Sequence, residues 1–329
     1  MQEVYPSLSQ TGRYSPLRYP GGKGKLAQFM KAIVRANSLS DGRYVEPYSG
    51  GAGVAWELLI TGVVRRVSIN DISLPVFAFW HSVLNEADDL CRLIRDRPLT
   101  VEEWDKRKEI FRRPEEVDYL ELGFSFFFLN RTNRSGILNG GVIGGRNQTG
   151  KWKIDARFNR AALISRIQKI ASLRSRIELT KLDAVEFIKS NAERFRGRTL
   201  LYIDPPYFEK GRFLYHDAYR AEDHAAVAKA VIDLKGLNWV VSYDDVRPIH
   251  DLYAEAPWLQ YTLNYSARNV TRGREVMFFS PELKVPEAPK PLIEIDRDLT
   301  RRPRQVSKRV FVHMHRQFYH KNTAIRPSA

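Results

Sequence analysis

The stretch TLLYIDPPY, residues 199–207, decides the fold class of this 329-residue chain. Residues 199–203 form a mostly apolar run with the length of a buried strand, which is typical of parallel sheets covered on both faces. Asp204 ends the run, and Pro205 and Pro206 then remove two backbone donors and stiffen the turn. Ligands of open parallel sheets bind beyond the carboxyl ends of the strands, so we expect a binding site at Asp204.

The turn itself carries groups suited to a planar, amine-bearing ligand. The Asp204 carboxylate and the Pro205 carbonyl are acceptors that can bind both hydrogens of an exocyclic amine. The Tyr207 ring can stack on a base. The alternative interpretation is a rigid loop with a capping aspartate. We take four residues as candidate catalytic residues: Asp204, Pro205, Pro206 and Tyr207.

Strand and helix patterns alternate on both sides of this turn. Apolar runs predict strands near residues 43–45, 63–69, 177–179 and 239–242. Helical periodicity follows at residues 54–60, 184–190 and 224–234. Residues 260–263 and 275–279 flank a polar loop and predict a hairpin. The pattern as a whole predicts an α/β fold, with a mostly parallel sheet covered by helices on both faces.

Between the second and third predicted strands, helical segments follow one another. They cover residues 76–84, 101–111 and 117–129, and the glycine-rich stretch 136–150 follows with a hairpin signal at Asn139-Gly140. We interpret the phenylalanines of residues 124–128 as core rather than as a base-stacking platform. The sequence therefore predicts an inserted domain over residues 76–175, within a discontinuous domain made of residues 1–75 and 176–280.

The charge balance favours a polyanionic partner. Lys and Arg total 53 against 38 Asp and Glu, which gives a net charge of +15. Eight of the cations lie in residues 299–329, which contain no acidic residue, and four prolines precede them between residues 281 and 291. We therefore predict a linker and a basic tail over residues 281–329. Nucleic acid is the simplest partner of such a chain, and a basic protein with a merely charged tail is the alternative.

Several classes of protein are not expected. No apolar run approaches the ~20 residues that cross a bilayer, and the first residues lack the pattern of a signal peptide. The lone cysteine, Cys91, excludes an internal disulfide and a multi-cysteine zinc site. It lies in a charged helical segment away from the other motifs. We expect a cytoplasmic protein without a metal site.

Two further motifs follow predicted strands. Residues 46–53, EPYSGGAG, form a glycine-rich turn that allows close approach of the backbone to a ligand. Asp71 lies 18 residues after Gly53, at the end of the next strand. An acidic residue at that position is suited to binding the ribose hydroxyls of an adenosine cofactor, and a helix N-cap is the alternative.

Together, four motifs resemble the Dam-like (D12 class) DNA adenine-N6 methyltransferases. They occur in the family's order: Tyr19–Lys23, Glu46–Gly51, Asp71 and Asp204–Tyr207. The resemblance covers about residues 16–280, and the asparagine-arginine and glycine-rich stretch from residue 130 to residue 153 resembles the family's recognition hairpin. One departure is Ala52-Gly53, where relatives often have Gly-Ala.

This resemblance implies a Rossmann-like methyltransferase sheet with an inserted helical domain that recognises the DNA target. It implies S-adenosylmethionine as methyl donor and N6 of a flipped-out adenine in duplex DNA as acceptor. The alternatives are an RNA adenine-N6 methyltransferase and a catalytically idle DNA-binding protein of the same fold. We expect a monomer of bacterial or phage origin, with no membrane association, and the family context allows a cognate restriction endonuclease as partner.

The resemblance also assigns residues to each ligand. Lys23 is expected near the cofactor's carboxylate, and Asp183 either contacts the cofactor's adenine amine or caps a helix. The full set implied to bind the cofactor is Tyr19, Lys23, Glu46, Pro47, Tyr48, Gly50, Gly51, Asp71, Asp183 and Asp204. The candidate DNA contacts are Arg131, Asn133, Arg134, Asn139, Arg146, Asn147, Lys151, Arg268 and Arg272. Arginine suits guanine and asparagine suits adenine, but we expect at least half of these residues to contact phosphate instead.

Overall fold

The computed structural model describes residues 14–18, 23–209, 219–263 and 274–300. In these ranges the strands are β1 (Arg43–Glu46), β2 (Arg66–Asn70), β3 (Ile177–Thr180), β4 (Thr199–Ile203), β5 (Asn238–Asp244), β6 (Trp258–Leu263), β7 (Glu275–Phe279) and β8 (Leu292–Asp298). The α-helices are α1 (Ala27–Ala36), α2 (Gly53–Ile60), α3 (Leu74–Asn85), α4 (Ala87–Asp96), α5 (Val101–Arg112), α6 (Tyr119–Thr132), α7 (Arg160–Ala171), α8 (Ala184–Asn191), α9 (Ala221–Ile232) and α10 (Arg247–Leu252).

All eight strands form one sheet, in the order β3-β2-β1-β4-β5-β7-β6-β8. The first five of these are parallel to one another, whereas β7 and β8 run antiparallel to their neighbours. The predicted hairpin is confirmed, because β6 and β7 pair antiparallel. The chain order reverses between β1 and β4, and such a reversal is where open α/β sheets bind their ligands.

Alternate residues of the central strands enter two separate hydrophobic cores. Tyr44 and Leu200 belong to the core on one face, and Val45 and Leu201 belong to the core on the other. Helices α1 to α7 supply residues to the first core, and α8 to α10 supply residues to the second. The predicted fold class, a mostly parallel sheet with helices on both faces, is therefore confirmed.

Helices α3 to α7 occupy the predicted insertion between β2 and β3. The phenylalanines of α6 are core residues as predicted, since Phe124, Phe126, Phe127 and Phe128 are all buried. They belong to the same core as the first face of the sheet. The division of the chain into a catalytic and a recognition domain stays a prediction.

Two expectations about local structure need correction. The Asn139-Gly140 signal does not produce a regular hairpin, because the described backbone there forms turns and one isolated bridge between Asn133 and Val142. The folded core also does not end near Ser280, because β8 pairs with β6 and forms the edge of the sheet. Pro291 immediately precedes β8, and an edge strand tolerates proline at its start.

Among the described residues, no helix is long and apolar enough to cross a bilayer.

Candidate active site

Asn70, the last residue of β2, ties together the loops that follow three neighbouring strands. Its side-chain amide donates to the carbonyls of Pro47 at 3.0 Å and Leu182 at 2.9 Å. Its side-chain oxygen accepts from the Thr180 hydroxyl at 2.7 Å and the Leu182 amide at 2.9 Å. Its backbone carbonyl accepts from the Ser49 amide at 2.9 Å. The loops after β1 and β3 are therefore fixed to the end of β2.

Asp71 holds the glycine-rich turn that follows β1. One carboxylate oxygen accepts from the Gly50 amide at 2.8 Å, and the other accepts from the Ser73 amide at 3.0 Å. Burial raises the pKa of Asp71 to about 6, although these amide bonds favour the charged form. Asp71 therefore lies beside the glycine-rich turn, as expected. In addition to the expected role in ligand binding, its carboxylate holds the backbone of that turn in place.

Ala52, where the chain departs from the family pattern, has φ +46° and ψ +35°. This left-handed conformation is open to glycine without a steric penalty, whereas a residue with a Cβ pays about 1–2 kcal/mol. The departure therefore has a local conformational cost at the start of α2.

Asp204 follows β4 and lies next to the reversal of strand order. Its Oδ1 accepts from the Ser242 hydroxyl at 2.6 Å, and Ser242 Oγ lies 2.7 Å from the Tyr202 hydroxyl. The Asp204 side chain keeps 22% of its surface exposed. Burial raises the pKa of Asp204, and Lys23 and Ser242 act in the opposite direction. Pro205 is buried beneath this turn, whereas Pro206 and Tyr207 are half-buried.

Lys23, which lies near the start of the sequence, contacts this turn. Its Nζ lies 3.5 Å from Asp204 Oδ1 and donates to the Tyr207 hydroxyl, 4.8 Å from the centre of the Tyr207 ring. Nζ also lies 2.7 Å from Glu275 Oε2 on β7. Burial lowers the pKa of Lys23, but the surrounding carboxylates and tyrosines outweigh burial and leave the pKa raised. Lys23 thus links the motif at residues 204–207 to β7.

Glu275 is a residue that the sequence patterns do not single out. It is only 2% exposed, and its Oε2 also accepts from the Tyr261 hydroxyl at 2.7 Å. In the sheet it stands opposite Asp244 on β5 and Tyr261 on β6. The Lys23 ammonium therefore has two carboxylate neighbours, the buried Glu275 and the partly exposed Asp204.

An aromatic pair lies next to the loops after β1 and β3. The Tyr48 and Tyr219 rings pack edge to face with centres 6.2 Å apart, and their hydroxyls are 3.1 Å apart. Burial raises the pKa of Tyr219, and the charges of Asp183 and Asp71 add to this effect. Asp183 caps α8 by accepting from the Val185 and Glu186 amides. Asp183 therefore caps α8 through Oδ1, and its contact with the cofactor stays a prediction.

Glu46, the last residue of β1, is buried, and burial raises its pKa from an ordinary value of 4.5 to about 8. The folded protein therefore binds this proton more tightly than the unfolded chain does. The contribution of Glu46 to stability is full below pH ~4.5 and is lost as the pH rises toward ~8.

We therefore expect the wild-type protein to lose free energy of unfolding between pH ~4.5 and ~8 relative to Glu46→Gln, which cannot titrate. Urea unfolding of both proteins across this range measures the difference. Parallel curves would contradict the raised pKa.

Most candidate DNA contacts lie on the surface of the insertion. Arg134, Asn139, Asn147 and Lys151 are exposed. Arg146 is exposed as well, but both of its terminal nitrogens donate to Asp105 at 2.8 Å. Arg131 is half-buried near the end of α6. Three predicted site residues, Tyr19, Arg268 and Arg272, lie outside the described residues.

Asn133 is a correction, because its side chain is buried and bonded within the insertion. Its oxygen accepts from the Trp104 indole at 2.6 Å, and its amide donates to the carbonyls of Ile137 and Leu138 at 2.9 Å. These bonds satisfy the carboxamide and fix the turn after α6. Because Asn133 is also fully buried, its side chain does not reach a base in this structure.

Comparison with solved structures finds methyltransferases at low similarity. An rRNA methyltransferase from Streptomyces viridochromogenes is 13% identical, with a TM-score of 0.31 over 79% of this chain and 85% of its own. An S-adenosylmethionine-dependent methyltransferase from Agrobacterium tumefaciens is 12% identical, with a TM-score of 0.34 over 78% and 62%. Similarities of this size carry no conclusion about this chain.

Comparison of sequences is more informative. The Type II methyltransferase M.MjaIII of Methanocaldococcus jannaschii is 25% identical over 206 residues, which are 58% of this chain and 68% of the relative. The model of the D12 class N6 adenine-specific DNA methyltransferases matches residues 19–267. Since that match extends over most of the chain and includes the turns after β1 and β4, the chain belongs to the D12 class N6 adenine-specific DNA methyltransferases.

Proposed function

We propose that Asp204 and the Pro205 carbonyl bind the N6 amino group of the target adenine, and that Tyr207 stacks on its ring. The enzyme methylates adenine N6 in DNA at specific sites and depends on S-adenosylmethionine. One observation carries the proposal: Asp204 lies partly exposed at the switch point of the sheet, with its orientation set by Ser242.

Hydrogen bonding at Asp204 addresses the chemical difficulty of the reaction. The lone pair of an adenine amino group is delocalised into the ring, so N6 is a poor nucleophile. Two acceptors fixed beside the amino group favour a pyramidal nitrogen with its lone pair directed at the methyl group. Positioning of this kind can supply several kcal/mol, up to ~7–11 in ideal cases.

The ends of β1 to β3 fit the cofactor. S-adenosylmethionine, when bound, supplies a methyl group on a positively charged sulfur. The charges of Asp71 and Asp183 both act on the Tyr219 hydroxyl, and their carboxylates supply acceptors for hydroxyl and amino groups. The turn after β1 has left-handed backbone at Gly50, so its backbone can approach a ligand closely. The residues proposed to hold the cofactor are Tyr19, Lys23, Glu46, Pro47, Tyr48, Gly50, Gly51, Asp71, Asp183 and Asp204.

The target adenine must leave the helix to reach Asp204, because N6 in a stacked duplex is not accessible to the active site. Extrusion costs a few kcal/mol, and stacking on Tyr207 would offset part of that cost. We therefore include base flipping in the proposal.

Base flipping has a direct test once the methylated site has been mapped by sequencing. A duplex with 2-aminopurine at the target position should become more fluorescent when the enzyme binds. Tyr207→Ala should weaken binding of the extruded base by ~1–3 kcal/mol. Tyr207→Phe is the matched control, since it keeps the ring and removes only the hydroxyl that accepts from Lys23. No change in fluorescence, with the adenine duplex of the same sequence methylated, would rule out flipping.

Sequence recognition is proposed for the exposed residues of the insertion: Arg134, Asn139, Arg146, Asn147 and Lys151. Arg146 would have to exchange Asp105 for DNA. We propose a monomer that acts on duplex DNA. A cognate restriction endonuclease is proposed as partner on the strength of the Type II relative.

A further inference from the structure

Four arginines from four segments of the chain come together beside α6. Arg131, near the end of this helix, donates from Nη2 to the backbone carbonyl of Arg157. Arg166, on α7, donates to the carbonyl of Ser15 at 3.3 Å. The fourth member belongs to the segment that leads to the active site. We call the four residues the arginine cluster: Arg18, Arg131, Arg157 and Arg166.

Arg18 is fixed to the end of α6 by both its backbone and its side chain. Its backbone amide donates to Asn130 Oδ1 at 2.7 Å, and its carbonyl accepts from Asn130 Nδ2 at 2.7 Å. Its Nη1 donates to the Asn133 carbonyl at 3.0 Å. These bonds fix the position of the Arg18 guanidinium, which is therefore less free to move than an ordinary surface side chain.

Three members of the cluster have no carboxylate within ion-pair distance among the described residues. In the described part of the chain, Arg18, Arg131 and Arg157 form no ion pair within 4 Å. Arg131 Nε is buried without a hydrogen-bond partner among the described residues. Burial and then the charges of the other three arginines lower the pKa of Arg131 to about 9. Burial and Arg157 lower the pKa of Arg18 as well.

Like charges held together at a partly buried place cost free energy, and a bound anion offsets that cost. Guanidinium groups match the geometry of a phosphate oxygen pair, and exposed Arg157 gives access from solvent. We propose that the arginine cluster binds a backbone phosphate of the DNA substrate. This inference rests on the proposed function, and it gives Arg131 a phosphate contact rather than a base contact.

The distance to the active site suits one duplex. Arg18 precedes Lys23 by five residues, and Lys23 Nζ lies 3.5 Å from Asp204 Oδ1. Five residues span at most ~18 Å between the Cα atoms of Arg18 and Lys23, which is the length of about five base-pair steps of DNA. A phosphate at the cluster and an adenine at Asp204 can therefore belong to the same stretch of DNA. Such a contact fixes the position of the duplex without specifying its sequence.

The test is the salt dependence of DNA binding by the full chain, measured by anisotropy of a labelled duplex from about 50 to 200 mM salt. Arg157→Gln and Arg18→Gln should each lower the log–log slope by about 0.9 and weaken binding about 8-fold at ~0.1 M salt. Because both residues serve one phosphate, the double variant should lose little more than either single variant, about 0.9 in slope and about 8-fold in affinity. Unchanged slopes would overturn the inference.

Two controls separate a site from a general charge effect. Arg174→Gln removes an exposed arginine three residues after the end of α7, which also forms no ion pair within the described ranges. This variant should leave the slope unchanged. Arg18→Lys keeps a point charge for the phosphate and should keep the slope. An equal loss in Arg174→Gln would overturn the inference.

Stability and activity provide the remaining readouts. Without DNA, Arg157→Gln should not lower the Tm, because it relieves repulsion among the arginines. A lower Tm together with an unchanged salt-dependence slope would mean that the cluster has a structural role, and would overturn the inference. Inorganic phosphate that raises the Tm of the wild type alone, again with unchanged slopes, would assign the site to a free anion. At saturating DNA, Arg174→Gln should keep kcat. A wild type that does not methylate DNA would defeat the proposed function but leave the slopes to test the cluster.

Discussion

Replacing Asp204 with alanine should lower kcat for methyl transfer by ~10²–10³-fold or more, while the Kd for DNA stays close to that of the wild type. The magnitude is that of removing one preorganised hydrogen-bonding group from a reaction centre. DNA affinity should persist because most candidate phosphate and base contacts lie on the insertion and the others also lie away from the end of β4. Transfer of labelled methyl to DNA and anisotropy of a labelled duplex measure the two quantities.

Two milder variants should show smaller losses of activity than Asp204→Ala. Asp204→Asn keeps an acceptor oxygen at the same place and should lose less activity than alanine. Ser242→Ala leaves the carboxylate and removes the hydroxyl that orients it, so its loss should be smaller still. Near-normal turnover of Asp204→Ala would remove Asp204 from the mechanism.

Glu275→Gln should lower both stability and kcat. The substitution takes a charge from a buried group of three ionisable residues, and breaking a buried ion pair costs ~3–5 kcal/mol of stability when no partner remains. Since Lys23 keeps Asp204 as a partner, we expect a loss of about 3 kcal/mol in urea unfolding. Lys23 would then be drawn to Asp204 and compete with the adenine amino group for the carboxylate.

The catalytic effect of Glu275→Gln should therefore appear in kcat more than in KM for DNA. One charge-assisted hydrogen bond is worth ~1.5–3 kcal/mol, which corresponds to a loss of about 10- to 150-fold. Tyr261→Phe is the matched control, because it removes a hydrogen bond to Glu275 but leaves the charge. Equal losses of kcat in both variants would show that the charge of Glu275 is not what matters.

Local patterns were enough to predict the framework of this site. The apolar run before Asp204 and the two prolines after it predicted β4 with the bounds that are observed. The glycine-rich turn after β1 and the acidic residue after β2 were also predicted where strands end, and Gly50 and Asp71 are in fact bonded to each other. These signals are strong because each lies within a few residues of the strand that positions it.

Long-range pairings were not visible in the same way. Glu275 begins a strand with ordinary composition, and its partner Lys23 is 252 residues away. Asn133 has a side chain suited to adenine, but the Trp104 indole of another helix occupies its oxygen. The prolines before β8 indicated a linker, because nothing local reveals that β6 is available as a neighbour. In each case the deciding contact joins elements that are distant in sequence.

The place of β8 in the sheet has a consequence for how the enzyme moves along its substrate. β3, which follows the insertion, and β8, which leads to the basic terminal segment, form opposite edges of the sheet, about 34 Å apart at ~4.8 Å per strand. We expect both the insertion and the basic segment to bind DNA, and two attachment points on one polymer raise the effective concentration of each for the DNA. If both bind, one of them should retain the duplex when the other dissociates after a turnover. We therefore expect processive methylation of neighbouring sites over a return to bulk solution.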